Sequence, residues 1–252
     1  MGIFDEAMQQ VVFLSLLAGL ATVLGGFIVF YFGIPNRRFM AAYLGLAAGV
    51  MAMVTVDLIK HAIAISAMSR AVIGILIGAI FMVMVSKSVE VMQSLCFGNS
   101  KRQGAERIFL RLGWTMVIGI AAHNIPEGVA IAAGDALSHQ LGLVILIAIA
   151  LHNIPEGIGV TAPLIRGGTA RWVIVAILLL VSLCVPVGTL LGTNVINGSP
   201  DTISTGLGFA AGAMLYIVSF ELLPPAFKQH SLFAQFGAFV GVILIFVASL
   251  LS

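Results

Sequence analysis

Residues 123–157 read HNIPEGVAIAAGDALSHQLGLVILIAIALHNIPEG, an apolar stretch bracketed by two copies of one polar hexapeptide, His123–Gly128 and His152–Gly157. The copies lie 29 residues apart. The midpoint of His123 and Glu156 is position 139.5, and so is the midpoint of Glu127 and His152. An antiparallel helical hairpin turning near Asp135–Gln140 therefore sets each histidine level with the glutamate of the other helix. At about 1.5 Å per residue, Glu127 lies roughly 10–12 Å and His123 roughly 16–18 Å from the hairpin tip, near the middle of a bilayer core about 30 Å thick.

Within each copy, His and Glu at i and i+4 share a helix face one turn apart, with Asn124 or Asn153 beside the histidine. Ionisable residues at membrane depth cost about 2.5–3.5 kcal/mol or more each on insertion scales, so they mark function. Pro126 and Pro155 cannot donate to the carbonyls one turn earlier, which frees oxygens near the glutamates. Such groups are tolerated at depth only where protein or a water-filled cavity satisfies them. A bland reading, two His–Glu hydrogen bonds that merely lock two helices, leaves the asparagines, the prolines and the matched register unexplained. Two carboxylates neutralise one divalent cation, and imidazole selects borderline metals over calcium or magnesium. His123, Glu127, His152 and Glu156 are thus read as holding Zn²⁺, Fe²⁺, Mn²⁺ or a similar ion.

The composition agrees with a membrane setting. Apolar residues make up 60% of the 252 and charged ones 9%, with a mean hydropathy of +1.15. A soluble chain carries about 25% charged residues, so lipid must be the solvent here. The net charge of +2 implies no nucleic-acid partner, and Cys96 and Cys184 form no disulfide scaffold or metal clip. Apolar runs at 8–32, 40–59, 71–92, 109–133, 141–164, 172–192, 203–223 and 232–251 predict an all-α polytopic membrane protein with eight spans and a single transmembrane domain over 1–252. Asp5 and Glu6 stand where a signal peptide would be cationic, so 8–32 is read as the first span. Residues 93–108 are read as a mobile cytoplasmic loop.

Ten of the twelve Lys and Arg residues, among them Arg37, Arg38, Arg166, Arg171 and Lys228, fall on the side of the loops after odd-numbered spans. The positive-inside rule then puts both termini outside the cytoplasm. A compact chain with no targeting peptide points to the inner membrane of a prokaryotic cell. Ala47-Ala48-Gly49-Val50-Met51 with Asp57 in span 2 echoes Ala210-Ala211-Gly212-Ala213-Met214 with Glu221 in span 7, the acid falling one position later. Oppositely directed relatives flanking a midplane site suggest an inverted-repeat bundle and alternating access. A selective metal channel is the rival reading. An intramembrane metalloenzyme fits less well, because Asn124 or Asn153 stands where a zinc protease of the HExxH type has its general base.

On these motifs and the eight spans, the chain resembles the ZIP family of divalent metal transporters along nearly its whole length. The resemblance implies uptake of Zn²⁺ or related ions, Fe²⁺, Mn²⁺ and Cd²⁺ included, toward the cytoplasm by a homodimer. It implies a site between spans 2, 4, 5 and 6, and no prosthetic group, the metal being cargo. It further implies His123, Glu127, His152 and Glu156 as principal ligands and Asn124 and Asn153 as members of an adjoining site. Met51 would be a soft ligand. Asp57 and Glu221 would lie near the entrance and exit, where the residues add Asp135 with His139 on the outer hairpin and His230 at the inner mouth. One departure stands out: many relatives carry a glutamate in span 6 where this chain has Val185, ahead of Pro186 and Gly188, so one transport site is expected rather than a binuclear pair. Lys60-His61 after Asp57 also departs from the Pro-Glu common in relatives.

Overall fold

The computed structural model describes residues 2–97, 104–196 and 198–250, which are helical apart from short connections. The helices are α1 (Gly2–Phe32), α2 (Arg37–Ile65), α3 (Met68–Phe97), α4 (Ala105–Leu137), α5 (His139–Arg166), α6 (Arg171–Ser182), α7 (Cys184–Val195) and α8 (Pro200–Tyr216). A π-helical turn, Ile217–Leu222, leads into α9 (Leu223–Leu250). Seven helical stretches are long and apolar enough to cross a membrane, α6 with α7 counting as one and Pro200–Leu250 as another.

The stretch over 200–250 is 51 residues long, about 75 Å at helical rise and more than twice a bilayer core. It is broken at His230, whose backbone is extended (φ −168°, ψ 107°). Packing partners on either side of the break run in opposite senses. The start of α8 meets the end of α2, where Ser204 donates to the Ala62 carbonyl at 2.7 Å and Arg70 pairs with Asp201 at 3.1 Å. Ala234 and Ala238 of α9 instead pack on Gly45 and Gly49 of α2, in rising order. The chain thus reverses around His230.

Other expectations from the apolar runs are corrected in detail. Residues 93–97 and 105–108 are helical rather than loop, while 98–103 lie outside the described residues. The polar residues at these ends have helical uses: Gln93 donates to Thr115, joining α3 to α4. The sixth apolar run is two helices broken at Leu183, because Pro186 cannot donate to the Ser182 carbonyl and its ring crowds it. The α4–α5 connection is a single residue, Ser138, which closes α4 through its N–H to Gly134 (2.9 Å) and caps α5 by accepting from Leu141 (3.2 Å).

Four helix crossings are built alike, with a glycine of each helix seated on a carbonyl of the other. A Cβ at Gly49 would meet the Ala238 oxygen, and one at Gly212 the Ile75 oxygen. A Cβ at Gly25 would meet Ile154, at Gly188 Ile125, at Gly157 Thr22 and at Gly128 Val185, each at the carbonyl oxygen. Each contact maps onto another by shifting 163 residues between α1–α3 and α6–α9 and 29 residues between α4 and α5. The π turn absorbs the one irregularity in this register: Glu221 is seven residues after Met214, whereas Asp57 is six after Met51.

Gly49→Ala and Gly212→Ala should each cost about 1–3 kcal/mol, since backbone must move to admit the methyl. Gly119→Ala, where a Cβ meets nothing within 4 Å, should be neutral or gain up to about 1 kcal/mol of helix propensity. Thermal unfolding in detergent checks both, and equal midpoints for Gly49→Ala and Gly119→Ala would refute the packing account.

Candidate metal centre

Hairpin register delivers the site. His123 Nε2 lies 3.2 Å from Glu156 Oε1 and His152 Nε2 lies 2.9 Å from Glu127 Oε1, so each histidine pairs with the glutamate of the other helix. All four side chains are at most 3% exposed. Donor atoms of His123, Glu127 and Glu156 can all lie within 4.8 Å of one another, a spacing one cation could bridge.

The hydrogen bonding of the cluster is unfinished. Glu127 Oε2, Glu156 Oε2 and His123 Nδ1 are buried without a hydrogen-bond partner. His152 Nδ1 lies 2.9 Å from the Ala148 carbonyl and donates to it. That bond leaves the lone pair of a neutral imidazole at Nε2, aimed at a carboxylate. Such a contact needs a proton or a metal ion between its atoms. Buried groups left unpaired cost about 1–3 kcal/mol each, more when charged, and a cation bound between the carboxylates would relieve that cost.

The asparagines tie the hairpin to its neighbours. Asn124 Nδ2 donates to the Val181 carbonyl at 3.2 Å, and Asn153 Nδ2 to the Ala18 carbonyl at 3.0 Å. These two acceptors are themselves related by the 163-residue shift. Both Oδ1 atoms stay buried and unpartnered.

The remaining predicted residues fall in different places. Glu221, on the π turn, approaches more closely than its reading as an exit residue implied: its Oε2 lies 3.9 Å from His123 Nδ1, and Ser86 donates to its Oε1 at 3.2 Å. Its lone acidic charge in an apolar span was the available signal, but only the fold reveals the distance. Asp57 pairs with Lys60 at 3.5 Å, and its carbonyl accepts from His61 at 2.7 Å. Asp135 and His139 pair with each other at 3.0 Å on the hairpin tip. Met51 is fully buried in the main apolar cluster. His230 stacks edge-on against Phe233 at the reversal, with Nδ1 buried and unpartnered.

A cavity of about 890 Å³ begins at His123, Glu156 and Glu221 and widens toward Asn36, Arg37, Arg166 and Gln229. It opens at the arginine-bearing end of the bundle. At the opposite end, several residues related to its deeper lining by the internal shifts are fully buried. Leu44, Ile120, Met116 and Ala162 line the cavity, while their counterparts Leu207, Ile149, Ile145 and Ala133 are at most 1% exposed.

Comparison with known proteins agrees with this geometry. A family model described as ZIP zinc transporter matches residues 92–249. The chain is 33% identical over 260 residues to the zinc transporter ZupT of Chlorobaculum parvum, covering 94% of this chain and 95% of that one. It is 31% identical over 239 residues to the zinc transporter ZTP29 of Arabidopsis thaliana, covering 88% and 87%. A further zinc transporter ZupT, of Stenotrophomonas maltophilia, is 31% identical over 229 residues and 84% of each chain. With likeness running almost end to end, the chain belongs to the ZIP family and is a multi-pass membrane transporter of metal cations rather than an enzyme.

Proposed function

We propose that this protein carries Zn²⁺ toward the cytoplasm by alternating access, with His123, Glu127, His152 and Glu156 as the transport site and Fe²⁺, Mn²⁺ and Cd²⁺ as further substrates. The observation that carries the reading is the one-sided cavity: it ends on the cluster, while residues related to its deeper lining are fully buried toward the other end. A carrier needs such a pair of alternatives, whereas a channel needs a path open at both ends. The named relatives are zinc transporters, which supports zinc as cargo.

The reversal at His230 supports eight crossings in an inverted-repeat bundle. The basic residues then put the cavity on the cytoplasmic side, in the inner membrane, with both termini outside and a homodimer as the assembly. In this reading Asp57, Asp135 and His139 attract the ion outside, Glu221 receives it from His123, and His230 lies beside its exit. The free Oδ1 atoms of Asn124 and Asn153 and the thioether of Met51 serve as auxiliary ligands, so the ligands come from spans 2, 4 and 5, and span 6 holds Asn124 through the Val181 carbonyl. The transport step is ligand exchange: a nearly dehydrated ion passes from the four principal ligands to the Glu221 carboxylate and then to water.

Zn²⁺ uptake into proteoliposomes should be saturable and should fall at least about tenfold, a loss of about 1.4 kcal/mol of transition-state stabilisation, in folded Glu127→Ala/Glu156→Ala. Undiminished flux in that variant would place the path elsewhere. Uptake should decline as pH falls from about 7.5 to about 5.5, because imidazole must be neutral and carboxylate ionised to ligate; a flat profile would contradict the ligand set. Equilibrium dialysis should find one tightly held Zn²⁺ per chain, and Val185→Glu should raise this toward two by adding a buried negative charge beside Gly128. Two tight sites in the unaltered protein would overturn the single-site reading.

A further inference from the structure

The arginine-bearing end of the bundle carries a second concavity, outside the metal path. A groove of about 560 Å³ lies between the end of α1 and the start of α6, with Leu24, Phe27, Phe30 and Tyr31 on its walls and Arg171 at its head. Leu24, Phe27 and Tyr31 are all more than half exposed, so the rest of the chain leaves this side of α1 uncovered. The Arg171 guanidinium sits 5.8 Å from the Phe30 ring centroid. Among the described residues no carboxylate pairs with it.

The groove is ordered by depth. Arg171 and Tyr31 stand at the helix ends, where headgroups lie, and Leu24 is about 10 Å deeper at helical rise. A phospholipid has the same order, phosphate first and acyl chain below. Headgroup charge decides which lipid fits. A zwitterionic headgroup brings its own ammonium to compete with the guanidinium, whereas an anionic one offers its phosphate unopposed. We propose that the groove is a binding site for an anionic glycerophospholipid, with its phosphate on Arg171 and one acyl chain along Phe27 and Leu24. Such a lipid would brace α1 and α6 from behind, the helices whose carbonyls hold Asn153 and Asn124 of the metal hairpin.

Trp172, 76% exposed beside Arg171, is a built-in reporter. A Trp114→Phe protein, with Trp172 its remaining tryptophan, is reconstituted in phosphatidylcholine bilayers. These contain a small fixed fraction of phosphatidylglycerol or phosphatidylcholine brominated on the acyl chain near the glycerol. Brominated phosphatidylglycerol should bind next to Trp172 about fivefold more strongly than its phosphatidylcholine analogue, the ratio equivalent to about 1 kcal/mol for one arginine at an anionic surface. Arg171→Gln should erase the difference, and Arg107→Gln, an exposed arginine at the start of α4, should keep it. Soluble glycerol phosphate should not relieve the quenching. Equal quenching by the two lipids, a preference that survives Arg171→Gln, or competition by glycerol phosphate would each overturn the proposal. Zn²⁺ dialysis on the same samples reads the metal site separately, so failure of the lipid site is distinguishable from failure of the transport reading.

Discussion

Two carboxylates and two imidazoles sit buried together, and they must neutralise one another or a shared cation. Because isolated charges at this depth are so costly, α4 and α5 cannot slide or rotate independently. A shift by one residue would take each histidine off its glutamate. The cross-pairing at 3.2 and 2.9 Å is therefore both the proposed transport site and the restraint that sets the hairpin. The asparagine amides extend that restraint outward to α1 and α6, so four elements are indexed to the same pair of contacts.

Around this centre, the bundle repeats its own contacts under two constant shifts, 163 residues between α1–α3 and α6–α9 and 29 between α4 and α5. Glycines allow helix backbones to touch, and where there is little hydrophobic drive between helices in lipid, such close packing does much of the associating. The repetition has a mechanical meaning. Any contact set present at one end has a chemically similar set at the other, so opening one end and closing the other exchanges like for like. The two arrangements can then be close in free energy, which the proposed alternating access requires.

The departures from the repetition are as informative as the repetition itself. Thr22 in α1 corresponds to Val185, which starts the helix after a break that α1 lacks. The π turn before Glu221 takes up one extra residue that α2 does not have, and π turns of this kind recur at functional positions. Glu221 faces His123, while its relative Asp57 is engaged by Lys60. The two halves of the bundle are thus built from the same plan but are chemically unequal.

Much was legible without coordinates because it depends only on spacing and polarity. The hexapeptide repeat interval determined which histidine faces which glutamate, and the hydropathy determined that lipid is the solvent. Helix ends were not legible, since polar residues such as Gln93 and Glu106 extend helices beyond the apolar core. The break at Leu183 was also hidden, behind an unbroken apolar run, whereas the reversal at His230 falls in the gap between the apolar runs 203–223 and 232–251. Only the tertiary structure decided that Glu221 reaches the cluster and that the asparagines bond to α1 and α6. It alone decided which end of the path is open. Periodicity reports how residues are arranged around one helix, but distances between helices, and the choice between two internally related packings, arise only when the helices are assembled.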